Sequence, residues 1–122
     1  VTDAAARFTE AQQLSRRHGF RYFEAQAAVG IAATLLAGGD ADGAADTARQ
    51  ALAVADAKGY RTLAGDALLA LTRAALAQGR YAAAGEHCRA AREHYAASGL
   101  PGKLREADGL ATVLRGQALP TA

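Results

Sequence analysis

The chain has 122 residues, 51% of them hydrophobic, and a formal net charge of +2 at pH 7. This length accommodates one compact unit, and the nearly balanced charge excludes the dense basic face of a typical nucleic-acid-binding protein. The single cysteine excludes an internal disulfide and paired-cysteine metal sites. No apolar run reaches the roughly 20 residues that span a bilayer. We therefore expect one cytoplasmic domain over residues 1–122 that contacts neither membranes nor nucleic acid directly.

Much of the apolar content is alanine, the strongest helix former, and β-branched residues are few. The only prolines are Pro101 and Pro120, so long stretches lack a helix breaker. This composition predicts an all-α protein. Because the chain begins Val1-Thr2 and contains no methionine, we expect it to be a fragment of a larger protein.

In chain order, residues 2–18 are predicted to form one helix, followed by helical hairpins at 20–58 and 60–98 and a terminal helix at 101–117. The first hairpin is divided at 38–40 and the second at 79–80. Glycine just after a last helical turn suits the left-handed cap conformation. Asp40 or Asp42 is expected to cap the next helix by accepting a hydrogen bond from a backbone N–H. Pro101 suits a first helical turn, where its missing N–H costs nothing.

The hairpins repeat one pattern. Gly19, Gly59 and Gly99 are 40 residues apart, and Gly39 and Gly79 share this spacing. The sequences HGFR and KGYR recur at 18–21 and 58–61. Self-similarity at a fixed period of this length indicates stacked helical repeats.

The segment GRYAAAGEHCRAA resembles the second half of a tetratricopeptide repeat. The residues in the positions of that motif are Gly79, Tyr81, Ala84, Cys88 and Ala91. Upstream, Leu68, Leu71, Thr72 and Ala75 are similar to the first-helix positions of the same motif. The resemblance implies a right-handed solenoid of about six antiparallel helices, and it covers nearly the whole chain.

Two features depart from this family. The usual unit has 34 residues whereas this one has about 40, and glycine replaces the proline near the end of each unit. Long, alanine-rich units of this kind resemble those of large bacterial transcriptional regulators, the LuxR-type and antibiotic-pathway activators with an ATP-binding module.

The residue types that often form reactive or binding sites in proteins are expected to have mainly structural roles in this chain. His87 and Cys88 are adjacent on a predicted helix and point about 100° apart, so Cys88 is expected to be a small core residue. The aromatic cluster Phe20, Tyr22 and Phe23 is either a ligand cage or packing at a repeat junction. Tyr22 is the better candidate for a contact because no aromatic residue recurs at its position in the next unit, where Thr62 stands. We expect no catalytic residues, no metal and no cofactor.

The resemblance also implies a concave binding face lined by the first helix of each unit. Arg73 stands out, since a charged residue amid alanine and leucine must face water or a partner. The residues carried over as candidates are Arg21, Tyr22, Gln26, Arg61, Asp66, Leu69 and Arg73.

The resulting hypothesis is a non-enzymatic scaffold that binds a protein or peptide, including other domains of its parent chain. A homodimer through the end helices is a further expectation, because solenoids need neighbours to cover their end faces. The alternative is an arm of a transcriptional regulator that senses a small effector, which a deep enclosed pocket, rather than an open groove, would favour.

Overall fold

The computed structural model describes Thr9 and residues 21–118, and within these residues it is all-helical. Five helices follow one another: α1 (Arg21–Ala37), α2 (Ala41–Lys58), α3 (Arg61–Ala77), α4 (Tyr81–Ser98) and α5 (Pro101–Ala118). The all-α prediction is confirmed, and these boundaries lie within two residues of those expected. The helix predicted at 2–18, and Phe20, lie outside the residues described in detail.

The turns between the helices share one geometry. Gly39, Gly59, Gly79 and Gly99 all adopt positive φ angles, between 66° and 89°. In each turn the N–H of the next residue donates to the carbonyl oxygen five residues earlier, as in Tyr60 to Ala55 at 2.9 Å. This is the Schellman pattern, in which glycine avoids the strain of a left-handed conformation. Because each turn is short, consecutive helices run antiparallel.

Contacts at the start of α2 show which of the two predicted residues, Asp40 or Asp42, caps the helix. Asp40 Oδ1 accepts a hydrogen bond from the Gly43 N–H at 2.9 Å, whereas Asp42 accepts one from the Gln78 side chain. A Cβ at position 43 would lie 2.3 Å from Asp40 Oδ2, so glycine leaves room for the capping carboxylate. Asp40 is therefore the N-cap.

Replacing Asp40 with alanine should lower the free energy of unfolding by about 1 kcal/mol, because an N–H at the start of α2 loses its acceptor. Urea denaturation followed by circular dichroism measures the change. The exposed Glu86 in α4 serves as a control, since its replacement should change stability by less than about 0.5 kcal/mol. Equal losses at both positions would contradict the capping assignment.

Helix α3 occupies the centre of the described array. It contacts α1, α2, α4 and α5, whereas no Cα atom of α2 comes within 8 Å of one in α4. Ten residues of α3 are buried, among them Leu63, Leu68, Leu69 and Leu71. The odd-numbered helices therefore lie side by side, with α3 between the other two.

Alanines supply most of the core. Ala48, Ala67, Ala74, Ala84 and Ala91 are completely buried. Side chains this small allow neighbouring helices to approach closely. The gaps are filled by the α3 leucines and by Tyr95, the largest completely buried side chain in the described part of the chain.

Candidate interaction surface

Aromatic rings from two helices meet beside an arginine. The Tyr22 ring, at the start of α1, packs edge-on against Tyr60 with 5.1 Å between ring centroids, and against Phe23 at 5.7 Å. Tyr60 follows the left-handed Gly59 and immediately precedes Arg61, which is exposed. We call Tyr22, Tyr60 and Arg61 the aromatic–arginine patch. It combines two predicted site residues with Tyr60, which the sequence analysis did not select.

The patch borders an open cavity of about 350 Å³ between the α2–α3 turn and α4. Tyr60 and Arg61 form one side of it, and Glu93 and His94 of α4 form the other. Asp56, near the end of α2, adds a second carboxylate. The cavity therefore offers positively charged donors and negatively charged acceptors beside an aromatic surface. Such a lining suits a partner segment that carries both polar and apolar side chains. Position in the repeat could not identify Glu93 or His94, because they belong to the second helix of their unit.

The other predicted residues on α3 already have partners within the chain. Asp66 Oδ1 accepts a hydrogen bond from the Tyr95 hydroxyl at 2.6 Å and forms an ion pair with Lys103 at 3.3 Å. Arg73 forms an ion pair with Glu106 at 2.6 Å. Both partners of these ion pairs lie on α5, which crosses this side of α3.

Leu69 differs most from its expected place. It is only 2% exposed and belongs to the main apolar cluster, because α3 is contacted by all four other described helices. It therefore presents no surface to a partner in this structure. On α1, Gln26 is exposed, and Arg21 forms an ion pair with Glu24 at 3.0 Å. The seven predicted residues do not form one continuous surface.

Cys88 is a core residue, as predicted. It is 2% exposed, and its thiol donates to the Ala107 carbonyl oxygen at 3.3 Å. Burial raises the pKa of the Cys88 thiol, and burial also lowers the pKa of the adjacent His87. Both shifts favour the neutral forms and therefore disfavour the thiolate that nucleophilic chemistry requires.

The Cys88 thiol of the native protein should react with a thiol reagent more than tenfold more slowly than in the chain unfolded in guanidinium. Its raised pKa reduces the thiolate fraction near neutral pH, and its burial requires local opening before attack. Stopped-flow measurements with an aromatic disulfide at several pH values provide the rates. If Cys88 were labelled as fast in the native protein as in the unfolded chain, a role as a reactive cysteine would be favoured.

Among residues 21–118, no three His, Cys, Asp or Glu side chains are placed to hold a metal ion. No helix in the described part is long and apolar enough to cross a membrane. The chain matches no protein-family model, no curated protein and no solved structure.

A groove between α4 and α5 was not predicted from the sequence. Its rim contains Arg92 and Arg115. Leu52 and Ala75 stand 40 residues earlier in the same positions of the repeat. This replacement of apolar residues by arginine was the signal that could have identified the groove.

Proposed function

We propose that this chain is a non-enzymatic interaction module whose hairpins belong to a right-handed solenoid of the tetratricopeptide type. The identical glycine turns and the side-by-side packing of α1, α3 and α5 support this architecture. Its setting would be a larger bacterial regulatory protein, where a peptide, another protein or another domain of the same chain is the partner.

The aromatic–arginine patch is the observation that carries this proposal. The Tyr22 side chain is 39% exposed although its ring is fixed by Tyr60. A ring held in place before binding loses little conformational entropy on contact. Tyrosine and arginine are also enriched among the residues that dominate binding energy at protein interfaces. The patch, rather than the α3 surface crossed by α5, is therefore the proposed contact surface.

The neighbouring cavity favours a peptide over a flat protein surface. Its volume of about 350 Å³ accommodates one or two side chains, and Asp56, Glu93 and Arg61 can orient polar groups of either charge. The proposed partner thus inserts a polar side chain beside Tyr60 while its backbone crosses the patch.

Selection from a random peptide library displayed on phage tests this function with the whole chain as bait. We expect enriched peptides whose affinity falls at least tenfold in Tyr22→Ala and in Arg61→Ala. The matched control is Arg105→Ala, an exposed arginine on α5, which should retain full affinity. Circular dichroism confirms that each variant is folded. Failure to enrich any peptide, or equal losses in all three variants, would refute the patch as a peptide-binding surface.

The alternative function, sensing of a small effector, gains no support from cavity shape, because the cavity beside the patch and the groove between α4 and α5 are both open rather than enclosed. The groove shares no lining residue with the aromatic–arginine patch.

A further inference from the structure

The groove between α4 and α5 is open, has a volume of about 320 Å³ and is lined in part by apolar residues. Ala111 and Leu114 of α5 form this apolar floor with Gly85 and the buried Cys88 of α4. Gly85 leaves open space in front of its backbone, since nothing lies within 4 Å of a Cβ built there. The floor therefore suits the apolar body of a small ligand. The volume falls at the lower end of the range for small-molecule sites.

Positive charge dominates the rim of the same groove. Arg89 and Arg92 of α4 and Arg115 of α5 line it together with Tyr81, whose ring is 41% exposed. Of these three arginines, only Arg92 forms an ion pair, with Asp108 of α5 at 2.7 Å, and Asp108 is not part of the lining. Arg115 donates a hydrogen bond to the Thr112 hydroxyl at 3.0 Å. Because this acceptor is neutral, the bond does not neutralise the positive charge of Arg115.

The acidic residues near Arg89 belong to another surface. Glu86 and Glu93 lie one turn before and after Arg89 on α4, and all three line a separate, shallower depression. Arg89 therefore stands at the boundary between the two surfaces. Within the α4–α5 groove itself, the lining residues carry three guanidinium groups and no carboxylate.

In the preceding unit, the positions equivalent to Arg92 and Arg115 are covered by another helix and hold apolar residues. Arg115 corresponds to Ala75, which is buried and packs with Ala84 and Cys88 of α4. Arg92 corresponds to the half-buried Leu52. An arginine buried under a further helix in the same manner would carry a large desolvation cost. The substitutions thus convert a seam for helix packing into a polar-rimmed groove open to solvent.

We propose that this groove binds a small organic anion, with its carboxylate, sulfonate or phosphate group at the arginines and an apolar body over Ala111 and Leu114. Guanidinium groups recognise such oxyanions through paired N–H donors. Tyr81 supplies an aromatic edge at the end of the groove. This inference goes beyond the proposed peptide-binding function and involves none of the residues of the aromatic–arginine patch.

Two probes of matched shape test the inference: naphthalene-1-carboxylate and the neutral naphthalene-1-methanol. Each is titrated into the whole chain labelled with ¹⁵N, and backbone amide shifts are followed by NMR at about physiological salt. We expect saturable shifts at 81–92 and 111–115 with the carboxylate, and at least tenfold weaker binding of the alcohol. Arg115→Gln should weaken carboxylate binding at least tenfold, whereas Arg105→Gln should leave it unchanged.

Three results would overturn the inference. The first is the absence of saturable shifts with the carboxylate, and the second is equal affinity for the two probes. The third is an equal loss in Arg115→Gln and Arg105→Gln, which would indicate general attraction to a positive surface. Because both arginines are exposed, each variant is expected to fold, and the amide spectrum itself reports folding. A peptide-binding defect in Tyr22→Ala with unchanged carboxylate binding would separate the two proposals.

Discussion

Replacing Tyr95 with alanine should lower the free energy of unfolding by about 4 kcal/mol, the range for removing a large aromatic side chain from a core. The ring is completely buried in a core cluster of alanines and three leucines, and the alanine side chains cannot expand into the space it leaves. The change also removes the hydrogen bond to Asp66 that joins α4 to α3. Guanidinium denaturation followed by circular dichroism measures the loss.

Tyr81→Ala serves as the matched control because that ring also lies on α4 but is 41% exposed. Its replacement should cost less than about 1 kcal/mol. Similar losses for Tyr81 and Tyr95 would contradict the central position of Tyr95 in the core.

Tyr95→Phe separates the ring from its hydroxyl group. Burial, and then the hydrogen bond to the Asp66 carboxylate, raise the pKa of Tyr95 far above its usual range. The hydroxyl therefore remains protonated and donates at any pH used for measurement. Its removal should cost about 1.5 kcal/mol, as for other hydrogen bonds to a charged group.

Replacing Gly65 with alanine should have the second largest effect, a net loss of about 2 kcal/mol. A Cβ at this position would lie 2.6 Å from Cε1 of Tyr95, far inside van der Waals contact. Overpacking of this kind costs about 3 kcal/mol, and the higher helix propensity of alanine returns about 1 kcal/mol. The same denaturation experiment measures the net change.

Gly109→Ala is the control of opposite sign. Gly109 lies within α5, and nothing is found within 4 Å of a Cβ built there, so alanine should stabilise the chain by about 1 kcal/mol. In the double variant Gly65→Ala with Tyr95→Leu, the cost should be smaller than the sum of the two single changes, because they share one contact. Stabilisation by Gly65→Ala would show that the ring of Tyr95 lies elsewhere.

The helix boundaries were predictable because their determinants are local. A glycine such as Gly59 ends a helix through its own backbone conformation, and Asp40 caps α2 through a neighbour three residues away. The burial of Cys88 followed from its place in the repeated alanine pattern, where Ala48 stands 40 residues earlier.

The candidate site was only partly predictable because its contacts join separate helices. Tyr22 stood out because Thr62, not an aromatic residue, occupies its position in the next unit, and the repeat register identified Arg61. The register could not reveal that the Tyr60 ring would link these residues. It also could not indicate that α5 would cross α3 and pair with Asp66 and Arg73. Leu69 was placed on a surface because the pattern does not reveal that α3 contacts all four other described helices.

The central position of α3 has a consequence for the speed of folding. Among the described helices, contacts join only neighbours in sequence or helices separated by one other. Such a topology has a low contact order, and chains of this kind fold in microseconds to milliseconds. Since α3 contacts every other described helix, mutations in it should slow folding, whereas mutations at the exposed face of α5 should mainly speed unfolding.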